Sequence, residues 1–255
     1  MEVCNLSSGS KGNATYVKAG NSNILLDCGR NIKYLEEKLN EIDVNIKDID
    51  YIVISHTHSD HIASLKQVLK KSHAALCVPE KMFYEMANLK DYNHVLVLED
   101  EYSSDDFKIK SIKSSHDAVD SRNFIIDDFH SKMAYITDTG YVNQKNFKYL
   151  TNLDLYLFES NHDIEMLENG PYPKWLKARV KSDSGHLSNN AAGFYLAKLI
   201  GPNTKKVLLI HLSETNNCPD KALETVYSIL KEYEINFNKV SCAMQDERSE
   251  VIALW

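Results

Sequence analysis

Ser55-His56-Thr57-His58-Ser59-Asp60-His61 is the stretch whose reading decides the fold of this chain. Tyr51–Ser55 reads as a short β-branched strand, and Ile62 opens an amphipathic pattern continued by Leu65, Val68 and Leu69. Three imidazoles and a carboxylate therefore stand between a strand end and a helix start. Side chains of an extended segment alternate with period two, so His56 and His58 point the same way. Asp60 and His61 then enter the helix in a neighbouring direction. One loop thus offers two imidazoles to one metal ion, and a carboxylate plus an imidazole to a second. Imidazole and carboxylate together suit zinc, manganese or iron.

Further ligands must come from elsewhere in the chain. Apolar, β-branched runs at Thr15–Lys18, Asn23–Asp27, Ala74–Val78, Val95–Leu98, Phe107–Ile112, Asn123–Asp127, Met133–Thr137, Leu155–Phe158, Lys206–His211 and Val251–Leu254 read as strands. His116, Asp138 and His211 follow or end three of them, where functional loops cluster. Helical periodicity appears in Ile32, Leu35, Leu39 and Ile42. It appears again in Phe194, Leu196, Leu199 and Ile200, with Ser188 as N-cap, and in Leu223, Val226, Tyr227 and Leu230 behind Pro219. Strands in pairs and runs with helices interspersed point to two packed sheets covered by helices.

Composition agrees with an enzyme of one domain spanning 1–255. The 255 residues are 43% hydrophobic and 25% charged. No stretch approaches the ~18 apolar residues of a membrane span. Met1-Glu2-Val3-Cys4-Asn5 lacks a signal-peptide pattern, so a cytoplasmic location is expected, with no membrane and no obligate protein partner. Cys4, Cys28, Cys77, Cys218 and Cys242 are scattered, which argues for reduced thiols rather than a disulfide framework or a thiolate zinc site. The net charge of −7 weighs modestly against polyanion binding, and bound divalent ions would offset it.

The order Asp27, His56–His61, His116, Asp138, His211 resembles the five-motif signature of the metallo-β-lactamase superfamily over most of the chain. The resemblance implies an α/β (α+β) fold, the four-layer αββα sandwich. It implies two divalent metal ions per chain: His56, His58 and His116 on the first, Asp60, His61 and His211 on the second, Asp138 bridging, and Asp27 supporting the site. The stretch between Asp138 and His211 is too short for the β-CASP insertion of related nucleases. Ser7–Asn13, Phe158–Asp163, Gly170-Pro171-Tyr172-Pro173, Gly185-His186-Leu187-Ser188 and His211–Asn217 together resemble the YycJ (WalJ) family of bacterial metallohydrolases. That resemblance implies 5′-to-3′ exonuclease activity on double-stranded DNA, with a link to DNA repair. Glu159 and His186 also resemble the proton-donating pair of tRNase Z.

The expected nucleophile is a hydroxide bridging two metals ~3.5–4 Å apart, with Asp60 as base or orienter and His186, polarised by Glu159, as acid. The ligands alone also fit a small-molecule hydrolase, such as a cyclic phosphodiesterase or thioesterase. Ser8, Ser10 and Asn13 in the first Gly/Ser turn, with Ser213 and Asn216, offer phosphate or sugar contacts; Gly9 and Gly12 equally suit a plain tight hairpin. His162 suits substrate contact or a loop hydrogen bond. Lys174, Lys177, Arg179 and Lys181 suit nucleic-acid contact or a solvated helix face, the second slightly favoured, and Trp175 and Tyr172 suit stacking on bases or packing in the core, with packing favoured.

Overall fold

A computed structural model describes all residues, Met1–Trp255. Its contacts divide the chain into two compact units. One comprises residues 1–113, 118–131 and 244–255, the other 114–117 and 132–243.

In the first unit, β1 (Glu2–Ser7), β2 (Ala14–Ala19) and β3 (Ser22–Leu26) form an antiparallel meander. The β2–β3 turn is Gly20-Asn21, with Gly20 at φ 58°, the left-handed backbone that a two-residue hairpin requires. α1 (Ile32–Asn40) then crosses to β4 (Tyr51–Val53), parallel to β3. α2 (Ser59–Ile62) and α3 (Leu65–Ser72) lead to β5 (Ala75–Val78), and α4 (Glu80–Glu85) to β6 (Val95–Val97). With the C-terminal strand Ile252–Ala253 against β1, these make one seven-stranded sheet. Its core buries Leu25, Ile52, Ile54, Leu35, Leu39, Val68 and Leu69 together. Three further antiparallel strands follow: β7 (Glu101–Ser103), β8 (Lys108–Lys113) and β9 (Arg122–Asp127).

The second unit is a parallel run of β10 (Lys132–Ile136), β11 (Leu155–Glu159), β12 (Lys206–Ile210) and β13 (Val240–Cys242). Helices α5 (Phe147–Leu150), α6 (Ile164–Asn169), α7 (Lys174–Val180), α8 (Asn189–Leu199) and α9 (Pro219–Glu232) make its crossovers. All five residues of β11 are buried, as expected of a strand covered on both faces. Because the strands are parallel and in register, with Ile136 opposite Phe158 and Glu159 opposite Ile210, their carboxyl ends emerge side by side. Asp138, Glu159 and His211 stand at those ends.

Several expectations change in detail. The helical pattern from Ile62 to Leu69 is broken, because α2 ends at Ile62 and α3 starts at Leu65. Phe194 faces solvent, and α8 instead buries the small residues Ala192, Gly193 and Ala197 beside Leu196 and Leu199. Gly193 allows α9 to come close: a Cβ there would meet Ile229 Cδ1 at 2.9 Å. Strands β1, β7 and β13 escape sequence patterning, the last two being three residues long and β1 carrying Asn5 and Ser7 among its apolar positions. Ser188 does cap α8, accepting the Ala191 amide at 3.1 Å. Ser188→Ala is expected to cost about 1 kcal/mol and to lower Tm by roughly 2–4 °C, checked by thermal denaturation.

Candidate metal centre and catalytic residues

The metal-type cluster of the first unit is assembled by two adjacent strand ends. β3 and β4 are parallel neighbours, so Asp27 follows one and Ser55-His56 follows the other, with the Asp27 amide bonded to Val53 O at 2.9 Å. Asp27 is fully buried and its carboxylate is fully used. Oδ1 accepts the Ser55 amide at 2.8 Å, and Oδ2 accepts the Ser55 hydroxyl and His61 Nδ1, each at 2.8 Å. The Ser55 Oγ in turn accepts from His56 Nδ1 at 3.0 Å. A histidine that donates from one ring nitrogen keeps the lone pair of the other for a cation, so this network orients His56 and His61 as ligands. His56 Nε2 lies 3.0 Å from His58 Nδ1, and His61 Nε2 lies 3.5 Å from Asp60 Oδ2.

In the second unit, Asp138 Oδ1 lies 3.7 Å from His116 Nε2, 3.6 Å from His211 Nε2 and 3.6 Å from His186 Nδ1. Asp138, Glu159, His186 and His211 form one group of potential ligand atoms within 4.8 Å of one another. His116 Nδ1 faces Gly185 O at 3.2 Å, and His211 Nδ1 faces Glu159 Oε1 at 3.2 Å, which again turns each Nε2 toward Asp138. Glu159 is fully buried, and its Oε1 also accepts His186 Nδ1 at 2.7 Å. Its Oε2 accepts the Thr139 and Leu187 amides at 2.9 and 3.3 Å. Burial opposes ionisation of Glu159, but the charge of His186 and the hydrogen bonds from His186 and His211 outweigh it, so its pKa is lowered. Burial pushes His116 below the ordinary imidazole range against the pull of Asp138, which favours the neutral, ligating form.

The donor set fits divalent cations. Two ligands of one tetrahedral ion at ~2.0–2.1 Å stand roughly 3.4 Å apart, longer than a hydrogen bond. The His61–Asp60 separation and the separations of Asp138 from His116 and His211 Nε2 fall near that value. Backbone geometry agrees. Asp27, Asp138 and His211 all adopt left-handed φ, at 57°, 48° and 57°. Such conformations cost about 1–3 kcal/mol each and persist where surrounding bonds over-determine them, typically at functional sites.

The remaining residues singled out from sequence fall in different places. Asn13 is buried, and its Nδ2 reaches Gly9 O, Asp60 Oδ2 and His61 Nε2 at 3.2, 3.4 and 3.0 Å, so it braces the ligand loop. Gly9 and Gly12 have φ of 140° and 148° and close a tight turn by the Gly12 amide to Gly9 O, the hairpin reading. Ser8 is buried and Ser10 exposed on that turn. Ser213 Oγ accepts the Asn216 amide at 3.1 Å, and Asn216 O accepts the Asp163 amide at 2.9 Å, so both tie the loop after β12 together and to the loop after β11. The His162 backbone pairs with Ser188 and Asn189, while its buried Nδ1 has no partner and burial lowers its pKa to about 4. Trp175 is 68% exposed and does not pack, because α7 presents it on the face away from Val180. Sequence reading missed Ser55, the hub of the first cluster, and Asn161, whose Nδ2 holds His211 O at 2.9 Å. It also missed Gly29 and Gly185, where a Cβ would overlap backbone atoms. Only the Ser adjoining His56 carried a local signal.

Comparison with known proteins gives a consistent result. A model described as Metallo-beta-lactamase superfamily matches residues 8–149. Exodeoxyribonuclease YycJ of Bacillus anthracis is 34% identical over 232 residues, 89% of this chain and 88% of that protein. Exodeoxyribonuclease WalJ of Streptococcus pneumoniae serotype 2 strain D39 is 35% identical over 239 residues, 90% of this chain and 88% of that protein. Among solved structures, the metallo-beta-lactamase fold protein YhfI of Bacillus subtilis has a TM-score of 0.75 at 17% identity, covering 97% of this chain and 98% of its own. Human tRNase Z, short form, has a TM-score of 0.66 at 16% identity, covering 100% and 99%. These likenesses place the chain in the α/β sandwich class expected from its sequence.

Proposed function

Because this chain belongs to the metallo-β-lactamase superfamily, in the family of the YycJ and WalJ exodeoxyribonucleases, we propose that it is a metal-dependent exodeoxyribonuclease, cutting DNA from 5′ to 3′ in the cytoplasm and serving DNA repair. The observation that carries this reading is the buried Glu159 held against His186 beside Asp138. An alkoxide leaving from a phosphodiester needs a proton, whereas a thiolate leaving from a thioester does not. Glu159 Oε1, 2.7 Å from His186 Nδ1, fixes that ring nitrogen and leaves Nε2 as the atom that would hand a proton to the departing oxygen. The small-molecule alternative is not favoured, since relatives covering about nine-tenths of the chain are named exodeoxyribonucleases.

The proposed ligands are His56, His58 and His116 for one ion, Asp60, His61 and His211 for a second, and Asp138 for both. When bound, divalent ions lower the pKa of water toward neutrality and neutralise phosphate charge. Asp60, whose Oδ2 faces His61, is the group that would accept or orient the proton of an attacking water. Asp27, through Ser55 and His61, holds the imidazoles in their ligating orientation. Zinc, manganese and iron all suit this donor set. No helix is long and apolar enough to cross a membrane.

The test uses end-labelled duplex DNA with protein loaded with manganese, zinc or iron. Shortening of the labelled strand from its 5′ end is expected; intact DNA with every metal refutes the reading. The His186→Ala variant should lose about 10²–10⁴-fold in kcat on DNA. On bis-p-nitrophenyl phosphate, whose leaving group departs without a proton, its loss should be at least tenfold smaller. Equal losses on both substrates exclude His186 as the acid.

A further inference from the structure

Trp175 is the largest side chain that the catalytic reading leaves unexplained. Its indole stands 68% exposed in the first turn of α7, behind Gly170-Pro171-Tyr172-Pro173. Exposing an indole forgoes a large hydrophobic gain, so a stacking partner is a physical expectation. The helix that carries it is fastened to the catalytic loops. Val180 O accepts the His186 amide at 2.9 Å. Arg179 binds Asp117, the neighbour of His116, through Nε at 2.6 Å and Nη2 at 3.0 Å. Gly170, upstream, lies so close to Asn216 that a Cβ would meet Oδ1 at 2.5 Å. Trp175 is therefore held at a set distance from His186.

The charges on α7 say how a nucleic acid would be gripped. Arg179 is engaged by Asp117, while Lys177 holds Glu168 O and Lys181 pairs with the Glu168 carboxylate. Of the basic residues on this segment, Lys174 alone stands exposed without such a pairing, next to Trp175. With a chain charge of −7, phosphate attraction is a weak handle here. Stacking on an aromatic face is independent of charge and of base identity.

We propose that Trp175 is a base-stacking platform. It holds a nucleobase of the strand being degraded beside the His186 loop, with Lys174 on the adjoining phosphate. This rests on the nuclease reading, and it specifies a single-stranded stretch at the DNA end as what the second unit grips.

The chain has two tryptophans, so Trp255→Phe leaves Trp175 as the sole indole reporter. Titrating that protein with a phosphorothioate oligonucleotide, which resists hydrolysis, should quench its fluorescence saturably. In otherwise wild-type protein, Trp175→Ala should raise KM for DNA about tenfold, with a much smaller change in kcat, and Trp175→Phe should recover most of the loss. The KM ratio of Trp175→Ala to the parent should be equal at about 50 mM and about 300 mM salt, since stacking is not screened as phosphate contacts are. Absence of quenching, an unchanged KM, or quenching by anionic lipid vesicles but not by DNA overturns the proposal. Should the parent protein cleave no DNA, the nuclease reading fails on that result alone, and saturable quenching by the oligonucleotide still decides the stacking claim.

Discussion

Asp138→Ala should reduce turnover by at least about 10³-fold, the equivalent of several kcal/mol of lost charge stabilisation. Its Oδ1 faces three imidazoles at 3.6–3.7 Å, and Thr137 Oγ1 donates to its Oδ2 at 2.6 Å. Bound metal should therefore fall below the about two ions per chain expected of the parent, measured by elemental analysis. The effect should not be one of unfolding. Removing a buried carboxylate from metal-free protein also removes a cost of burying charge, so the Tm of the apoprotein should change little. The rise in Tm on adding metal should shrink, because a ligand stabilises only the folded state it binds. Full activity with two ions retained in Asp138→Ala would sink the bridging role.

Gly29→Ala should be comparably damaging, although Gly29 bears no chemistry. A Cβ at this position would lie 1.6 Å from Asp60 O and 2.2 Å from Asp60 C, well inside contact distance. The neighbouring backbone cannot yield cheaply. Asp60 O accepts the Asn13 amide at 2.8 Å, and His61 O accepts the Cys28 amide at 2.8 Å. Relief must come by displacing Asp60 and His61 or the Asp27–Gly29 turn, and either moves proposed ligands. A misplacement of about 1 Å costs on the order of 10²-fold in rate, and overpacking of this kind about 1–3 kcal/mol or more in stability. Gly193→Ala is the control, because its Cβ meets the flexible end of Ile229, and it should keep near-parental turnover. Steady-state kinetics with thermal denaturation of both variants decides it. Equal behaviour of the two would show that the close approach at Gly29 is unimportant.

The parts of the site legible in sequence are those carried by local order. Ser55–His61 places His56 and His58 between β4 and α2 and Asp60 and His61 on α2, and Asp27, Asp138 and His211 each follow a strand whose apolar run marks its boundary. Ser188 and Pro219 likewise announce their helices, since capping and φ preference act within one turn. Readings that depended on surroundings fared differently. Trp175 and Phe194 read as packing residues from their hydrophobicity but face solvent, because helical periodicity does not say which face the rest of the fold covers.

Read from the sequence were the proposed donors, their attachment to strand ends, and the family to which the chain belongs. The folded structure supplies the distant partners that turn His61, His116, His186 and His211 into the site. Asp27 reaches His61 across 34 positions, Gly185 reaches His116 across 69, and Glu159 gathers His186 and His211 from 27 and 52 positions away. A ring's tautomer and direction follow from the hydrogen bond its second nitrogen makes. The partners in those bonds are supplied by parallel strand ends and crossover loops, which become neighbours only when the sheets form.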